Sequence, residues 1–176
     1  DSIIFVGSRA KYKNFELAVQ AISKTSLNLI IVGPPISTKE QSIINKCFQE
    51  NSKVYCTGYI DNSQLNLLYN NAYALLYPSI YEGFGIPVLE AQKAGCPVIA
   101  YNGSSIPEII GDPTLLMQEA SIKEIHNKLK ILENKSLRAK IITLGIKNAK
   151  RFSWDKMYED IINIYQKVWK SRDYQK

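Results

Sequence analysis

Residues 73–101, YALLYPSIYEGFGIPVLEAQKAGCPVIAY, decide the fold of this chain. Two short apolar runs, at 73–78 and 97–101, enclose a glycine turn that leads into a segment of helical spacing. Continuous apolar strands separated by helices are typical of a parallel sheet that is covered on both faces. The stretch therefore predicts a strand–helix–strand unit of a doubly wound α/β domain.

The same alternation of apolar runs and helical patterns extends over most of the 176 residues. Right-handed crossovers predict a Rossmann-like, doubly wound parallel sheet of about six strands, with helices on both faces and a helical C-terminal segment. Because no linker or repeat interrupts the pattern, we expect one domain over residues 1–176. The predicted strands are 3–7, 28–33, 53–58, 73–78, 97–101 and 114–118. The predicted helices are 15–23, 39–49, one capped by Asp61 or Asn62 that ends near 71, a short turn near Pro107, 122–132, 137–150 and 154–169.

The predicted strands end in turn-forming residues. Because the ligand of a doubly wound sheet lies beyond the carboxyl ends of the strands, we expect these ends to converge on one crevice. The residues at the strand ends are Gly7, Gly33, Gly58, Pro78 and Asn102.

Two basic residues, Arg9 and Lys13, follow the first predicted strand. An arginine fork and a lysine point charge on one loop at this edge would form a receptor for a diphosphate. The spacing also fits two solvated basic residues, as we expect for the neighbouring Lys11. After the third strand, Tyr59 and Ile60 could form the floor of a base pocket, although a simple strand end followed by a helix cap is the more common explanation of this pattern.

Glu82 and Glu90 bracket the glycine turn that follows the fourth strand. Gly83 and Gly85 allow the backbone to approach a ligand closely, and Pro87 is well placed as the first residue of a helix whose N–H groups face the crevice. Glu90 would lie one turn into this helix, where a carboxylate can accept hydrogen bonds from a ribose diol. Glu82 could accept sugar hydroxyls or lie beside positive charge developing at an anomeric carbon.

Composition restricts the partners of the chain. The net charge of +6, from 22 Lys and Arg against 16 Asp and Glu, favours anionic partners such as nucleotide phosphates or an anionic membrane surface. The basic residues within 128–151 have helical spacing, which is typical of solvated helix faces and leaves a peripheral membrane contact as the alternative. Within residues 128–151 no aromatics interleave with the basic residues as they do in nucleic-acid binders, so no nucleic-acid partner is expected.

The cysteines and the single histidine argue against a metal site. Cys47, Cys56 and Cys96 lack C-x-x-C spacing, and His126 lies in a predicted helix away from the strand ends, where it is expected at the surface or in packing. We interpret the cysteines as buried free thiols of a cytoplasmic protein. No apolar run approaches the roughly 20 residues of a membrane span.

The last predicted helix carries an apolar stripe from Trp154 to Trp169, which is typical of a docking face. The chain opens directly on a predicted core strand, so we interpret it as part of a longer protein.

The sequence resembles the C-terminal half of family 4 retaining glycosyltransferases of the GT-B fold. The resemblance covers nearly the whole chain in order, and the pair Glu82 and Glu90, separated by seven residues around GFGIPVL, matches the family signature. The segments that carry it are VGSRAKYKNFELAVQAI at 6–22, LIIVGPP at 29–35, residues 54–112, and RFSWDKMYEDIINIY at 151–165.

The resemblance implies a role for each matching residue. Arg9 and Lys13 would bind and stabilise the leaving diphosphate, Glu82 would contact the donor sugar, and Glu90 would bind the ribose. The implied donor is a GDP- or UDP-linked sugar, with no tightly bound cofactor and no metal; Glu82, Arg9 and Lys13 are the implied catalytic residues. The full implied binding set is Gly7, Ser8, Arg9, Lys13, Gly33, Gly58, Tyr59, Ile60, Glu82, Gly83, Phe84, Gly85, Ile86 and Glu90.

The form GSRAKYKNF looks most like mannosyltransferase-type members that act in surface polysaccharide assembly on glycan or lipid-linked acceptors. In the family an N-terminal domain binds the acceptor, and nothing in this chain corresponds to it. We therefore expect the chain to be nearly inactive alone and its last helix, which in the family packs on that domain, to expose apolar surface. A non-catalytic nucleotide-sugar-binding module is the alternative; an NAD-binding domain is disfavoured because GSRAKYKN lacks the G-x-G-x-x-G pattern.

Overall fold

The computed structural model describes residues 1–48 and 54–172, with helices on both faces of one sheet. The strands are β1 Ser2–Val6, β2 Asn28–Val32, β3 Val54–Gly58, β4 Ala74–Tyr77, β5 Val98–Tyr101 and β6 Leu116–Met117. The helices are α1 Phe15–Ile22, α2 Thr38–Cys47, α3 Asn62–Asn71, α4 Ile86–Lys93, α5 Ile106–Ile110, α6 Ile122–Glu133, α7 Lys135–Ala149 and α8 Trp154–Arg172. Short 3₁₀ turns occupy Lys11–Lys13 and Pro113–Leu115.

The six strands are all parallel and lie in the order β3-β2-β1-β4-β5-β6. Ile4 of β1 is paired with Ile30 of β2 on one side and with Leu75 of β4 on the other. The direction of strand progression therefore reverses between β1 and β4, which is the switch point where doubly wound sheets bind ligands. The predicted fold class is confirmed.

Successive residues of the central strands feed two separate cores, because strand side chains alternate between the faces of a sheet. Ile3 and Phe5 belong to the core under α1, α2 and α6, whereas Ile4 belongs to the core under α3, α4 and α5. Each fully buried aliphatic side chain contributes about 1.5–3 kcal/mol, so both faces anchor the strands whose ends carry the site.

Side-chain caps fix the helices near the crevice, and one buried polar contact joins two helices elsewhere. Ser37 and Glu40 form a capping box at α2, and Asp61 caps α3 as predicted, with Gln64 as its partner. Farther from the crevice, Asn148 of α7 donates from Nδ2 to Oε1 of Gln92 at 2.8 Å, which ties α4 to α7.

Most predicted elements lie within two residues of the observed ones. The strand predicted at 114–118 is shorter, because residues 113–115 form a 3₁₀ turn and only 116–117 pair with β5. Gln49 and Lys53, included in a predicted helix and strand, lie outside the described residues.

The prediction of three buried thiols is wrong for Cys56. Cys96 is buried and Cys47 is half-buried, but Cys56 is exposed. Cys56 lies on β3, the edge strand of the sheet, where an apolar neighbourhood in sequence does not guarantee cover on either face.

His126 and the last helix are placed as expected. Nε2 of the half-buried His126 lies 2.8 Å from the main-chain oxygen of Ala21, which makes it a packing residue between α6 and α1. The residues of α8 with described side chains are all exposed, and Trp154 and Trp169 keep 69% and 70% of their surface accessible. The predicted exposed apolar surface is therefore confirmed. None of the described helices is both long and apolar enough to cross a bilayer.

Candidate functional site

The loops that follow β1 and β4 meet at the switch point. Asn14, which has a left-handed backbone with φ of 52°, donates from Nδ2 to the main-chain oxygen of Pro78 at 3.0 Å. The N–H of Ile80 donates to the oxygen of Tyr12 at 2.9 Å. These contacts fasten the two loops together, so the side chains that they carry face each other across the crevice.

Lys13, Glu82 and Tyr77 form a compact polar cluster at this junction. Nζ of Lys13 lies 2.5 Å from Oε1 of Glu82 and 3.3 Å from the hydroxyl of Tyr77. The Lys13 and Glu82 side chains each keep only 11% of their surface accessible. Burial, together with the hydrogen bond and negative charge of Glu82, raises the pKa of Tyr77, so its hydroxyl stays protonated. Lys13 and Glu82, which were predicted separately at the ends of two strands, are thus in direct contact.

Arg9 points in another direction. Its Nε donates to Oε1 of Glu40 at 2.8 Å, and its Nη2 lies 2.7 Å from the main-chain oxygens of both Pro34 and Pro35. Its side chain is 4% accessible, and its Nη1 is buried without a hydrogen-bond partner among the described residues. The predicted partnership of Arg9 with Lys13 is therefore not seen: Arg9 joins the loop after β1 to the loop after β2.

The surroundings of Glu40 favour its ionised carboxylate form, which pairs with Arg9. Burial alone would raise the pKa of the Glu40 carboxyl, but hydrogen bonds from Ser37 and Arg9, with the charge of Arg9, outweigh burial and hold the pKa below its ordinary value. The ion pair is largely shielded from solvent, because only 4% of the Arg9 side chain and 19% of the Glu40 side chain are accessible.

The glycine turn leads into α4 as predicted. Gly85 adopts φ of 99° at the N-cap, and a Cβ there would come within 2.8 Å of Cδ1 of Ile109, so this position needs glycine. The main-chain N–H groups of residues 83–86 donate to no other described residue. They are donors available to an anion or a sugar at the positive end of the α4 dipole.

Glu90 lies one turn into α4 and is half-buried. The hydroxyl of Tyr69 donates to Oε2 of Glu90 at 3.2 Å and so orients the carboxylate. Burial and the adjacent Glu90 raise the pKa of Tyr69, which keeps this donor protonated. Oε1 of Glu90 makes no hydrogen bond to another described residue.

At the ends of β1, β2 and β3 the candidate site is lined mainly by main-chain atoms. Gly7, Ser8, Gly33 and Gly58 follow or end β1, β2 and β3, as predicted. Tyr59 is 78% exposed, whereas Ile60 is half-buried against the core below α3. Phe84 and Ile86 are also partly exposed, at 46% and 43%.

Sequence reasoning missed four residues of this site: Glu40, Tyr77, Ser104 and Ser105. Ser104 and Ser105 hydrogen-bond to the main chain of Glu82 and Phe84. Their sequence context, NGSSIP, indicates only a turn before a helix, and no local signal names a partner some 22 residues away. Among the described residues, no group of three or more His, Cys, Asp or Glu is arranged to hold a metal ion.

The fold and the position of the site define a doubly wound α/β domain whose candidate site lies at the switch point of the sheet. A model of the family described as glycosyl transferases group 1 matches residues 1–148. The chain belongs to this glycosyltransferase family.

Curated relatives include two named mannosyltransferases. O-antigen chain mannosyltransferase B of Escherichia coli is 38% identical over 110 residues, covering 62% of this chain and 29% of that protein. O-antigen chain mannosyltransferase RfbU of Salmonella typhimurium is 30% identical over 133 residues, covering 73% of this chain and 37% of that protein. The chain thus spans less than half the length of these relatives.

Solved structures show the same fold. Sucrose-phosphate synthase from Thermosynechococcus elongatus superposes with a TM-score of 0.84 at 22% identity, over 97% of this chain and 46% of that one. The C-terminal domain of a glycosyl transferase group 1 protein from Francisella tularensis gives 0.72 at 23% identity, covering 85% of each chain. The architecture is that of the C-terminal domain of GT-B glycosyltransferases.

Proposed function

We propose that this chain is the donor-binding domain, over residues 1–176, of a retaining hexosyltransferase that uses a GDP- or UDP-linked sugar. The observation that carries the proposal is the constellation at the switch point: Lys13 against Glu82, the glycine turn with available N–H groups, and Glu90 with an available oxygen. The named relatives support mannose as the sugar and surface polysaccharide synthesis as the setting.

Each part of the constellation has a chemical task in this proposal. Lys13 and the N–H groups of residues 85 and 86, at the start of α4, stabilise the negative charge of the leaving diphosphate, and the N–H groups of residues 83 and 84 bind hydroxyls of the donor sugar. Glu90 accepts hydrogen bonds from the ribose hydroxyls, in a geometry fixed by Tyr69. Glu82 accepts hydroxyls of the donor sugar and lies beside positive charge that develops at the anomeric carbon.

Lys13 and Glu82 compensate each other while the donor is absent. An ionised pair with little solvent contact is costly to break on one side, because the remaining charge has no partner. The donor removes this penalty since it brings a diphosphate to Lys13 and hydroxyl groups to Glu82. The contact between them therefore keeps both groups aimed at the crevice.

Arg9 has a different part in the proposal from the one that its spacing predicts. Its Nε and Nη2 are engaged by Glu40, Pro34 and Pro35, and its Nη1, which has no partner among the described residues, is buried. We assign the main diphosphate contact to Lys13 and assign Arg9 to the support of the loop that carries Lys13.

The wider partners also belong to the proposal. We propose an N-terminal domain of the same protein that binds a glycan or lipid-linked acceptor, with α8 packing on it through its exposed apolar face. A cytoplasmic location at the inner face of a membrane agrees with the net charge of +6. A regulatory nucleotide-sugar-binding module is the second candidate, and it would keep donor binding without sugar transfer.

A thermal-shift titration tests the proposal. The purified protein is titrated with GDP, UDP, ADP, their sugar conjugates and NAD. A ligand at a hundred times its dissociation constant adds about 2.7 kcal/mol to the free energy of unfolding. We expect stabilisation by one nucleoside diphosphate and its sugar conjugate, and none by NAD.

Glu90→Gln is the matching site variant, and Glu133→Gln, at an exposed position on α6, is its control. Glu90→Gln should weaken nucleotide binding by about tenfold, since it replaces a charged acceptor of two ribose hydroxyls. Glu133→Gln should change nothing. Equal binding by both variants, or stabilisation by NAD alone, would contradict the proposed site.

A further inference from the structure

The loop between β5 and α5 is hydrogen-bonded to the loop that carries Glu82. The hydroxyl of Ser104 donates to the main-chain oxygen of Glu82 at 2.6 Å, and it accepts from the N–H of the same residue at 3.2 Å. One side chain thus satisfies both main-chain groups of Glu82. The backbone on either side of the carboxylate is therefore held from the neighbouring loop.

Ser105 reinforces the same loop at two points. Its hydroxyl lies 2.9 Å from the main-chain oxygen of Glu82 and 2.9 Å from that of Phe84, and its single hydrogen is shared between them. The oxygens of residues 82 and 84 therefore point toward the β5–α5 loop. Because a trans peptide points its N–H away from its carbonyl oxygen, the N–H groups of residues 83 and 85 face away from the β5–α5 loop.

The backbone of Ser104 is itself unusual. Its φ is 55°, in the left-handed region that residues other than glycine, asparagine and aspartate seldom adopt. Such a conformation persists only where its surroundings favour it, and strained residues of this kind cluster at binding and catalytic sites. Here the exposed Ser104 has little packing to hold it, and its two hydrogen bonds to Glu82 are the contacts that offset the strain.

We propose that Ser104 and Ser105 are positioning residues that fix residues 82–84 in the shape that receives the donor sugar. The inference rests on the proposed function, because it is the donor sugar that Glu82 and the adjacent N–H groups would contact. The two serines touch no sugar themselves. They act through the main chain of Glu82, while the contacts of Lys13 and Glu90 with the nucleotide are independent of them.

The test compares how tightly the purified protein binds a nucleotide and its sugar conjugate. Dissociation constants are measured by calorimetry for GDP with GDP-mannose and for UDP with UDP-glucose. The variants are Ser105→Ala, Ser105→Thr and Ser104→Gly. Glycine removes the hydroxyl but also relieves the left-handed backbone, so this variant loses the contact without a strained fold.

We expect Ser105→Ala and Ser104→Gly to weaken binding of the sugar conjugate by about five- to tenfold, since each lost hydrogen bond is modest. Binding of the bare nucleoside diphosphate should change less than twofold. Ser105→Thr, which keeps a hydroxyl, should bind the sugar conjugate as tightly as the native protein does. Ser121→Ala is the control: it removes a cap from α6, where Oγ accepts from Glu124 N at 3.2 Å, and should lower thermal stability with both affinities unchanged.

The outcomes separate this inference from the function beneath it. Normal binding of both ligands by the serine variants would overturn the positioning role, but it would not contradict the proposed donor site. Parallel loss of both ligands with a lower melting temperature would show a merely structural role and overturn it as well. A native protein that binds neither nucleotide nor conjugate would overturn the proposed function together with the inference.

Discussion

Arg9 and Lys13 lie four residues apart on one loop, yet they serve opposite sides of the crevice. Lys13 contacts Glu82 and Tyr77 beyond β4, whereas Arg9 contacts Glu40 and the proline carbonyls beyond β2. A 3₁₀ turn at Lys11–Lys13 begins between the two residues, and Lys13 is its last residue. The difference teaches that two cations on one strand-end loop need not share an anion.

The largest effect is expected from Lys13→Met. It should weaken binding of the nucleoside diphosphate by about 10- to 100-fold through loss of a charge-assisted contact. It should also lower the free energy of unfolding by about 3 kcal/mol, because Glu82 remains buried without its partner. Calorimetry and urea unfolding measure the two quantities.

Lys11→Met, at an exposed position on the same turn, is the matched control and should alter neither quantity. Adding Glu82→Gln to Lys13→Met should recover much of the stability but none of the nucleotide binding. Native affinity in Lys13→Met would remove Lys13 from the diphosphate site and erase its contrast with Arg9.

Arg9→Met tests the contrast between Arg9 and Lys13 at the arginine. It should lower the free energy of unfolding by about 2 kcal/mol, because Glu40 and two carbonyls lose their donor, and weaken nucleotide binding less than Lys13→Met does. Arg9→Lys should not restore stability, since an ammonium cannot reproduce the fork that serves three acceptors. The opposite pattern, with binding abolished and stability intact, would return Arg9 to the diphosphate role that its spacing predicts.

The smallest effect concerns pH and the Arg9–Glu40 pair. The pKa of Glu40 is lowered in the folded chain from the ordinary value of 4.5, so the pair stabilises the fold fully above pH 4.5. That contribution is lost as pH falls through the lower folded pKa. The stability advantage of the native protein over Glu40→Gln should therefore be constant from pH 7 to about 5 and shrink at more acidic pH.

Urea unfolding at a series of pH values measures this difference. A constant difference down to pH 3 would mean that the charge of Glu40 does not contribute to the contact. Glu133→Gln serves as the control, because Glu133 is exposed and makes no ion pair with another described residue.

The sequence was sufficient to predict the sheet and the convergence of its strand-end loops on one crevice. Apolar periodicity is a local signal, and parallel strands bring their carboxyl ends to one edge whatever the loops contain. These two facts place the glycine turn, Glu90 and the loop of Lys13 around one crevice without knowledge of any side-chain contact.

Side-chain direction and long-range partners were beyond such reasoning. Arg9 is directed by Glu40, 31 residues away, and the loop of Glu82 is held by serines some 22 residues away. The error at Cys56 has a related cause, because the edge position of β3 follows from strand order and not from composition.

The close approach of Gly33 to Gly7 has a consequence for anyone who wishes to alter ligand preference. A Cβ on Gly33 would lie 2.5 Å from the main-chain oxygen of Gly7, so Gly33 tolerates no side chain, although a Cβ on Gly7 would meet no atom within 4 Å. Substitution of Gly33 would push the ends of β1 and β2 apart and would not give a new specificity. A productive library would hold Gly33 constant and vary the exposed rim at Tyr59 and Phe84, where bulk can change without displacing a strand.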